Sequence, residues 1–314
     1  MTKLRLATLV ALLITLGVIL LGAFVRLSDA GLGCPDWPGC YGHYAVPAHA
    51  ADAGKAWKEM VHRYFAGSLG LIVFGLAVWS WRRGSRRQKL IFGAAAVLIV
   101  FQAALGMWTV TLRLQPLVVM GHLLGGISLA SLLWLGLLET RASAAPPSLR
   151  WLAPLALAVV VAQVALGGWT SSTYSALACA DFPKCNGSWW PATDFSDAFV
   201  PWRSLDVSFE HGVLAGPARV SIQLAHRLGA AVVFVVVGAL GTLSIARGDR
   251  TLRAGGIALI ALLMVQVTLG VSNVLFLLPM PVAVLHNGVA TLLVLASIRQ
   301  VFISRVSPPE PSSS

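Results

Sequence analysis

The chain has 314 residues, of which 57% are hydrophobic and only 11% charged, with a mean hydropathy of +0.79. Soluble domains carry about 25% charged residues, so the composition excludes a soluble enzyme and points to an integral membrane protein. The net charge of +11 invites a nucleic-acid partner, a reading that the placement of the charges removes.

A spanning helix needs about 20 mostly apolar residues. Eight runs qualify: Ala7–Val25, Tyr64–Trp81, Leu90–Val110, Leu117–Leu138, Trp151–Thr170, Ser221–Ala246, Leu252–Leu275 and Val282–Ile298. The fold class is therefore all-α integral membrane. The first run is not a cleaved leader, because it continues into motif residues and its counterpart in the second half is internal. With the N-terminus inside, the cytoplasmic segments hold fourteen basic and three acidic residues, and the outer segments hold nine of each. The whole excess lies on one side, as the positive-inside bias requires. Both termini are then cytoplasmic, the chain sits in the cell (inner) membrane, and the basic charge reports orientation and attraction to anionic membrane lipid, with no nucleic acid involved.

In chain order, a short basic start leads into helix 1 and then an outer loop holding Cys34-Pro35-Asp36-Trp37-Pro38-Gly39-Cys40. Helix 2 opens on Glu59-Met60-Val61-His62-Arg63 and leaves at Trp81-Arg82-Arg83-Gly84. Helix 3 carries Gln102 and Gly106, and helix 4 carries His122 near its outer end. Residues 141–150 form a cytoplasmic linker between an N-terminal half, 1–140, and a C-terminal half, 151–305, with 306–314 as a disordered tail.

The second half replays the first. Leu21-Gly22-Ala23, Cys34 and Cys40 return 145 residues later as Leu166-Gly167-Gly168, Cys179 and Cys185; His62, Gln102, Gly106 and His122 return 164 residues later as His226, Gln266, Gly270 and His286. The second outer loop is thus 19 residues longer, with the insertion inside Asn186–Val220. Each half has an even number of helices, so both enter the membrane in the same sense. The expected architecture is eight transmembrane helices as two parallel-repeat four-helix bundles packed face to face.

His62 and His122 are 60 residues apart, and so are His226 and His286. Ionisable side chains inside a bilayer are costly and face the bundle interior. Two imidazoles from two helices across a bundle core suit axial ligation of haem iron, which makes all four candidate iron ligands. Histidines merely hydrogen-bonded between helices are the plainer alternative, and the equal spacing in two copies favours haem. The cysteines lie outside the membrane and no carboxylate cluster joins the histidines, which disfavours zinc or copper. Arg63 and Arg227 follow at the interface as propionate contacts. His43, His49 and His211 have no repeat partners and read as surface residues.

Glu59 lies three residues before His62 on the same helix face, and Gln223 stands in its place in the second half. Beside an apolar macrocycle the carboxyl could transfer a proton or stabilise a developing cation; the plainer alternative is an i,i+4 ion pair with Arg63. The asymmetry makes the first half the reaction site, with Glu59 catalytic, and the second a redox site. Both Cys-x5-Cys pairs face an oxidising compartment, so disulfides Cys34–Cys40 and Cys179–Cys185 are expected. The second reads as a structural clip, and a redox role stays open for the first.

Glu-x-x-His-Arg at Glu59–Arg63, Gly121-His122, the two cysteine pairs, His226-Arg227 and Leu285-His286-Asn287 resemble, in this order and spacing, the haem A synthases, over essentially Ala7–Ile298. The resemblance implies an eight-helix membrane enzyme that converts haem O to haem A for terminal oxidases. It implies a resident haem b as cofactor on His226 and His286, and substrate haem O near His62 and His122. One ring methyl would be oxidised to a formyl group through successive hydroxylations, with Glu59 assisting and the first cysteine pair handling electrons or substrate. The partners implied are the haem O synthase and an electron acceptor. The residues alone reach a two-site, haem-binding membrane redox protein. They leave open a di-haem b electron-transfer cytochrome, a membrane thiol-disulfide oxidoreductase, a transporter, and a homo-oligomeric state.

Overall fold

The helix boundaries follow from the residues that flank each apolar run. The computed structural model describes residues 3–138 and 145–305; linker positions 141–144 and the tail 306–314 lie outside the described residues. The elements are α1 (Lys3–Leu27), α2 (Ala53–Arg83), α3 (Arg86–Thr111), α4 (Pro116–Leu137), α5 (Pro147–Ser172), the short α6 (Phe195–Ala198), α7 (Gly216–Arg247), α8 (Arg250–Leu275) and α9 (Met280–Arg305). All but α6 are long and apolar enough to cross a membrane, and among the described residues there is no strand, only two isolated bridges. The chain is an all-helical, multi-pass membrane protein.

Caps place the ends. Asp52 accepts from Lys55 N at 2.9 Å to start α2, and Ser85 and Gln88 form a capping box on α3, each satisfying amides that a helix start leaves unpaired. Pro116, Pro147 and Pro217 sit in first turns, where the missing N–H costs nothing. Two starts differ from the apolar-run reading. Helix α2 begins at Ala53 rather than on the Glu59 motif, and α7 at Gly216 rather than Ser221. The polar Lys55, Lys58 and Arg219 keep a hydropathy window from reaching those first turns, although the Asp52 cap holds the first helical and Pro217 starts the second. His62 therefore lies nine residues inside α2 and His226 ten inside α7, about 14–15 Å along their axes.

Helices α1, α2, α3 and α4 pack as a ring of neighbours, and α5, α7, α8 and α9 pack in the same cyclic order. The two sets meet through α1 and α4 on one side and α5 and α9 on the other. One buried cluster runs through both, with Leu12, Leu69, Phe92 and Leu133 from one set and Leu149, Val237, Leu259 and Leu293 from the other. Hydrocarbon offers no hydrophobic drive between spanning helices, so packing and a few hydrogen bonds hold them. Trp134 Nε1 donates to the Leu295 carbonyl at 2.9 Å between the sets, and Gln300 Nε2 donates to Ser244 Oγ at 2.7 Å inside the second.

The connections repeat residue by residue. Asp29 and Tyr174 have matching left-handed backbones after α1 and α5, as do Arg113-Leu114 and Leu277-Leu278 before α4 and α9. Both cysteine pairs are bonded, with Cα–Cα distances of 4.8 and 4.6 Å. In each loop a two-residue turn with both φ positive, Tyr41-Gly42 or Asn186-Gly187, closes a small bridge, the geometry of a type I′ turn. Asp36 accepts from the amides of Tyr41 and Gly42, and Asp181 from those of Asn186 and Gly187. These amide bonds hold the exposed Asp181 carboxyl below the usual carboxylate range. The aspartate between the cysteines is thus the staple of the turn that follows.

Candidate functional site: two buried histidine pairs

Each histidine rests on a glycine of the neighbouring helix, and the four contacts repeat in pairs. A side chain on Gly22 of α1 would meet His62 Nε2 at 3.0 Å, and one on Gly167 of α5 would meet His226 Cε1 at 3.1 Å. A side chain on Gly106 of α3 would meet His122 Cε1 at 3.4 Å, and one on Gly270 of α8 would meet His286 Cε1 at 3.1 Å. The glycines give the four rings their room: a side chain at Gly22, Gly167 or Gly270 would crowd its histidine, and one at Gly106 would come into contact with His122.

In the first set the His62 and His122 rings meet edge-on with centroids 6.3 Å apart and planes at 64°. A metal that takes imidazole nitrogen on both sides at about 2 Å places the ring centroids roughly 6 Å apart, so the spacing suits one iron between them. His226 and His286 likewise lie within electrostatic reach of each other. Among the described residues, His122 Nδ1, Gln102 Nε2, Gln223 Oε1 and His286 Nδ1 are buried without hydrogen-bond partners, an expensive state in a dry interior. No group of three or more His, Cys, Asp or Glu gathers among the described residues. Two paired imidazoles suit a macrocyclic metal, which brings its own equatorial ligands, better than a zinc ion that needs three or four side chains. The residues present fit haem.

The amides around the rings are the part the spacing did not single out. Gln266 Nε2 lies 3.2 Å from His286 Nε2, and Gln163 Nε2 lies 3.1 Å from His226 Nδ1 and 2.9 Å from the His226 carbonyl. Gln266 had surfaced only as a repeat marker. Gln163 had not surfaced, because its repeat partner is Val18 and a search for shared residues passes over it.

Glu59 and Arg63 take other partners than a cofactor edge. Glu59 is buried; its Oε2 accepts from Cys34 N at 2.8 Å and its Oε1 accepts from Arg63 Nη2. This is the i,i+4 pair that the spacing allowed. Arg63 Nη1 donates to the carbonyls of Asp36, at 2.9 Å, Pro38 and Gly39. Arg227 repeats the clamp without an acid: Nη1 donates to the Lys184 carbonyl at 2.7 Å and Nη2 to that of Cys179 at 3.1 Å. Both arginines, expected at propionates, hold the disulfide loops down over the histidine helices.

The long second loop crosses to the first set. Residues near Trp169 and α6 stay with their own half, where Trp169 Nε1 donates to the Ala198 carbonyl at 2.9 Å. Beyond α6 the chain reaches over. Gln115 Nε2 donates to the Arg203 carbonyl at 3.0 Å, the Phe209 amide donates to the Arg113 carbonyl at 3.1 Å, and Glu210 pairs with Lys55 at 3.9 Å. Exposed His211 approaches Asp29 at 4.0 Å and lies beside Tyr174, so it serves this crossing rather than the buried sites. His43 and His49 stay together in the first loop with ring centroids 6.1 Å apart. The strap thus ties down the start of α2 and the α3–α4 turn of the His62 set. Phe209 is buried, and Phe209→Ala is expected to cost about 3–5 kcal/mol locally. Limited proteolysis should then cut within 199–213 at protease levels that leave the unmutated protein intact.

Fold and site together define a polytopic membrane protein with two repeat-related pairs of buried imidazoles, suited to planar iron cofactors. Residues 5–298 match the family described as cytochrome oxidase assembly protein. The chain is 47% identical over 312 residues to the haem A synthase of Shewanella oneidensis, covering 92% of this chain and 93% of that protein. It is 30% identical over 291 residues to the haem A synthase of Halalkalibacterium halodurans, covering 88% of each. The haem A synthase of Bradyrhizobium sp. strain ORS 278 is 26% identical over 343 residues, covering 96% of this chain and 90% of that one. The chain belongs to the haem A synthase family.

Proposed function

We propose that the protein is a haem A synthase: a membrane oxidoreductase that oxidises a ring methyl of haem O to the formyl group of haem A for terminal oxidases. The observation that carries this reading is the pairing of two imidazole sets in repeat-related places, only one of which has an acid, Glu59 against Gln223, one helical turn before its first histidine. His226 and His286 would hold a resident haem b, and His62 and His122 would receive haem O. Bound haem iron supplies one-electron and oxygen chemistry that no side chain of this chain can.

The chain's own residues orient and shield. The glycines of the neighbouring helices make room for the four imidazoles between the helices of each set. The clamped first loop and the strap close the loop end of the His62 set against water. Glu59, with one oxygen accepting from Arg63 and the other from the Cys34 amide, stays an acceptor in both contacts. Held in these contacts one helical turn before His62, it would assist from beside the bound substrate. The same carboxylate accepts from the Cys34 amide, which ties the Cys34–Cys40 loop to the helix of His62, and this loop would take part in electron or substrate handling. The disulfide loops face the periplasm and the arginine-rich helix ends the cytoplasm of the inner membrane, in line with the charge bias. The haem O synthase and an electron acceptor are the partners this assigns.

The test is extraction and chromatography of haems from purified unmutated protein and from Glu59→Gln. One stoichiometric haem b with minor haem O and A in the first, and haem O accumulating at the expense of haem A in the second, is the expected result. Two stoichiometric haems b in both would make the protein an electron carrier.

A further inference from the structure

The two halves differ at a pair of positions that touch the same ring. In the second half, the Gln163 amide of α5 contacts both the ring and the main chain of His226, through Nδ1 at 3.1 Å and the carbonyl at 2.9 Å. It has room to do so because Gly229, one turn after His226 on α7, carries no side chain; a methyl there would collide with Gln163 Oε1 and lie 3.5 Å from Leu166. The repeat places Val18 and Phe65 at the corresponding sites of the first half. Val18 packs into the apolar core and has no polar atom to offer His62, and Phe65 turns outward, 54% exposed. One histidine is therefore gripped at two atoms by an amide seated in a glycine notch. Among the described residues its twin has no such amide and rests against Gly22 and His122.

A ring that ligates iron through one nitrogen donates the N–H of the other, and partners that fix its orientation in this way commonly change metal affinity about 10–100-fold; Gln163 takes that proton with its amide oxygen, which a half-turn of the amide brings to Nδ1. We propose that Gln163, seated in the notch at Gly229, is a positioning residue that holds the His226 ring and makes the second half the one that retains its haem. The Val18 and Phe65 counterpart leaves the His62 ring free to admit and release a haem that must pass through. This rests on the haem reading proposed above. It assigns the division between a resident and a passing macrocycle to two side-chain differences outside the histidines themselves.

The test uses the full-length protein purified in detergent with its haem bound. Haem release to an excess of a soluble haem-scavenging protein is followed by absorbance, and the low-spin signal of the second-half iron by electron paramagnetic resonance. Gln163→Val, which copies the first half, should release the resident haem roughly 10–100-fold faster and shift or broaden that signal. Gly229→Ala crowds the amide while leaving it in place and should move both readouts in the same direction; it carries the test should Gln163→Val fail to insert. The converse pair Val18→Gln with Phe65→Gly should slow release from the first half. Release and signal equal to the unmutated protein in Gln163→Val and Gly229→Ala overturn the proposal. His226→Ala separates the two readings. If it keeps the resident haem, the haem assignment itself is wrong. If it loses that haem while Gln163→Val does not, only the positioning role falls.

Discussion

Replacing His226 by alanine is expected to strip the resident haem from the purified protein, whereas replacing His62 is expected to leave that haem in place and stop haem A formation. The two histidines occupy equivalent places, each on a glycine and each opposite a second imidazole. A general loss of fold would therefore affect both variants alike. Removing an iron ligand should cost more than the roughly 10–100-fold that an outer partner costs. Haem content by extraction, read alongside haem A yield in cells, checks both variants at once. If both lose the same haem to the same degree, the halves do not divide the work as proposed.

The second large effect is expected at Arg63. Its guanidinium joins the buried Glu59 to three carbonyls of the Cys34–Cys40 loop. Arg63→Ala leaves the Glu59 carboxylate buried with only the Cys34 amide, and breaking a buried pair from one side costs about 3–5 kcal/mol. The thermal midpoint in detergent should fall, and the first disulfide should become reducible at lower reductant concentrations, read by alkylation of the freed thiols. Arg227→Ala removes two carbonyl contacts but strands no acid, since Gln223 stands where Glu59 would. Its effect should be clearly smaller. Equal losses would show that the carboxylate, and not the loop, is irrelevant to the clamp. Arg63→Lys should recover little, because a single ammonium cannot span a carboxylate and three carbonyls.

Eight spanning helices, the doubled pattern and the four histidines were all legible in the chain, because each rests on a quantity that sequence carries directly. Apolar run length decides spanning, and equal spacing between like residues reports duplication whatever the contacts. The disulfides were legible for the same reason, both pairs lying at one spacing in polar segments. Capping was less so: the starts of α2 and α7 lie upstream of their apolar runs, since hydropathy averages away charged first turns that Asp52 or Pro217 hold helical.

What the chain alone could not decide was who touches whom. Gly106, Gly167 and Gly270 read only as repeat markers, while the fold turns them into seats for imidazoles and makes Gly229 the notch for Gln163. The contacts of Glu59 and Arg63 with the disulfide loop had no sequence signal, because a side chain at the top of a helix meets whatever loop folds back over it. The insertion in the second loop had a length but no address until the fold laid it across the first set of helices. Residue type and spacing are properties of one dimension and survive in the sequence. The direction of a side chain and the path of a long loop depend on which helices become neighbours, and that is settled only when both halves pack.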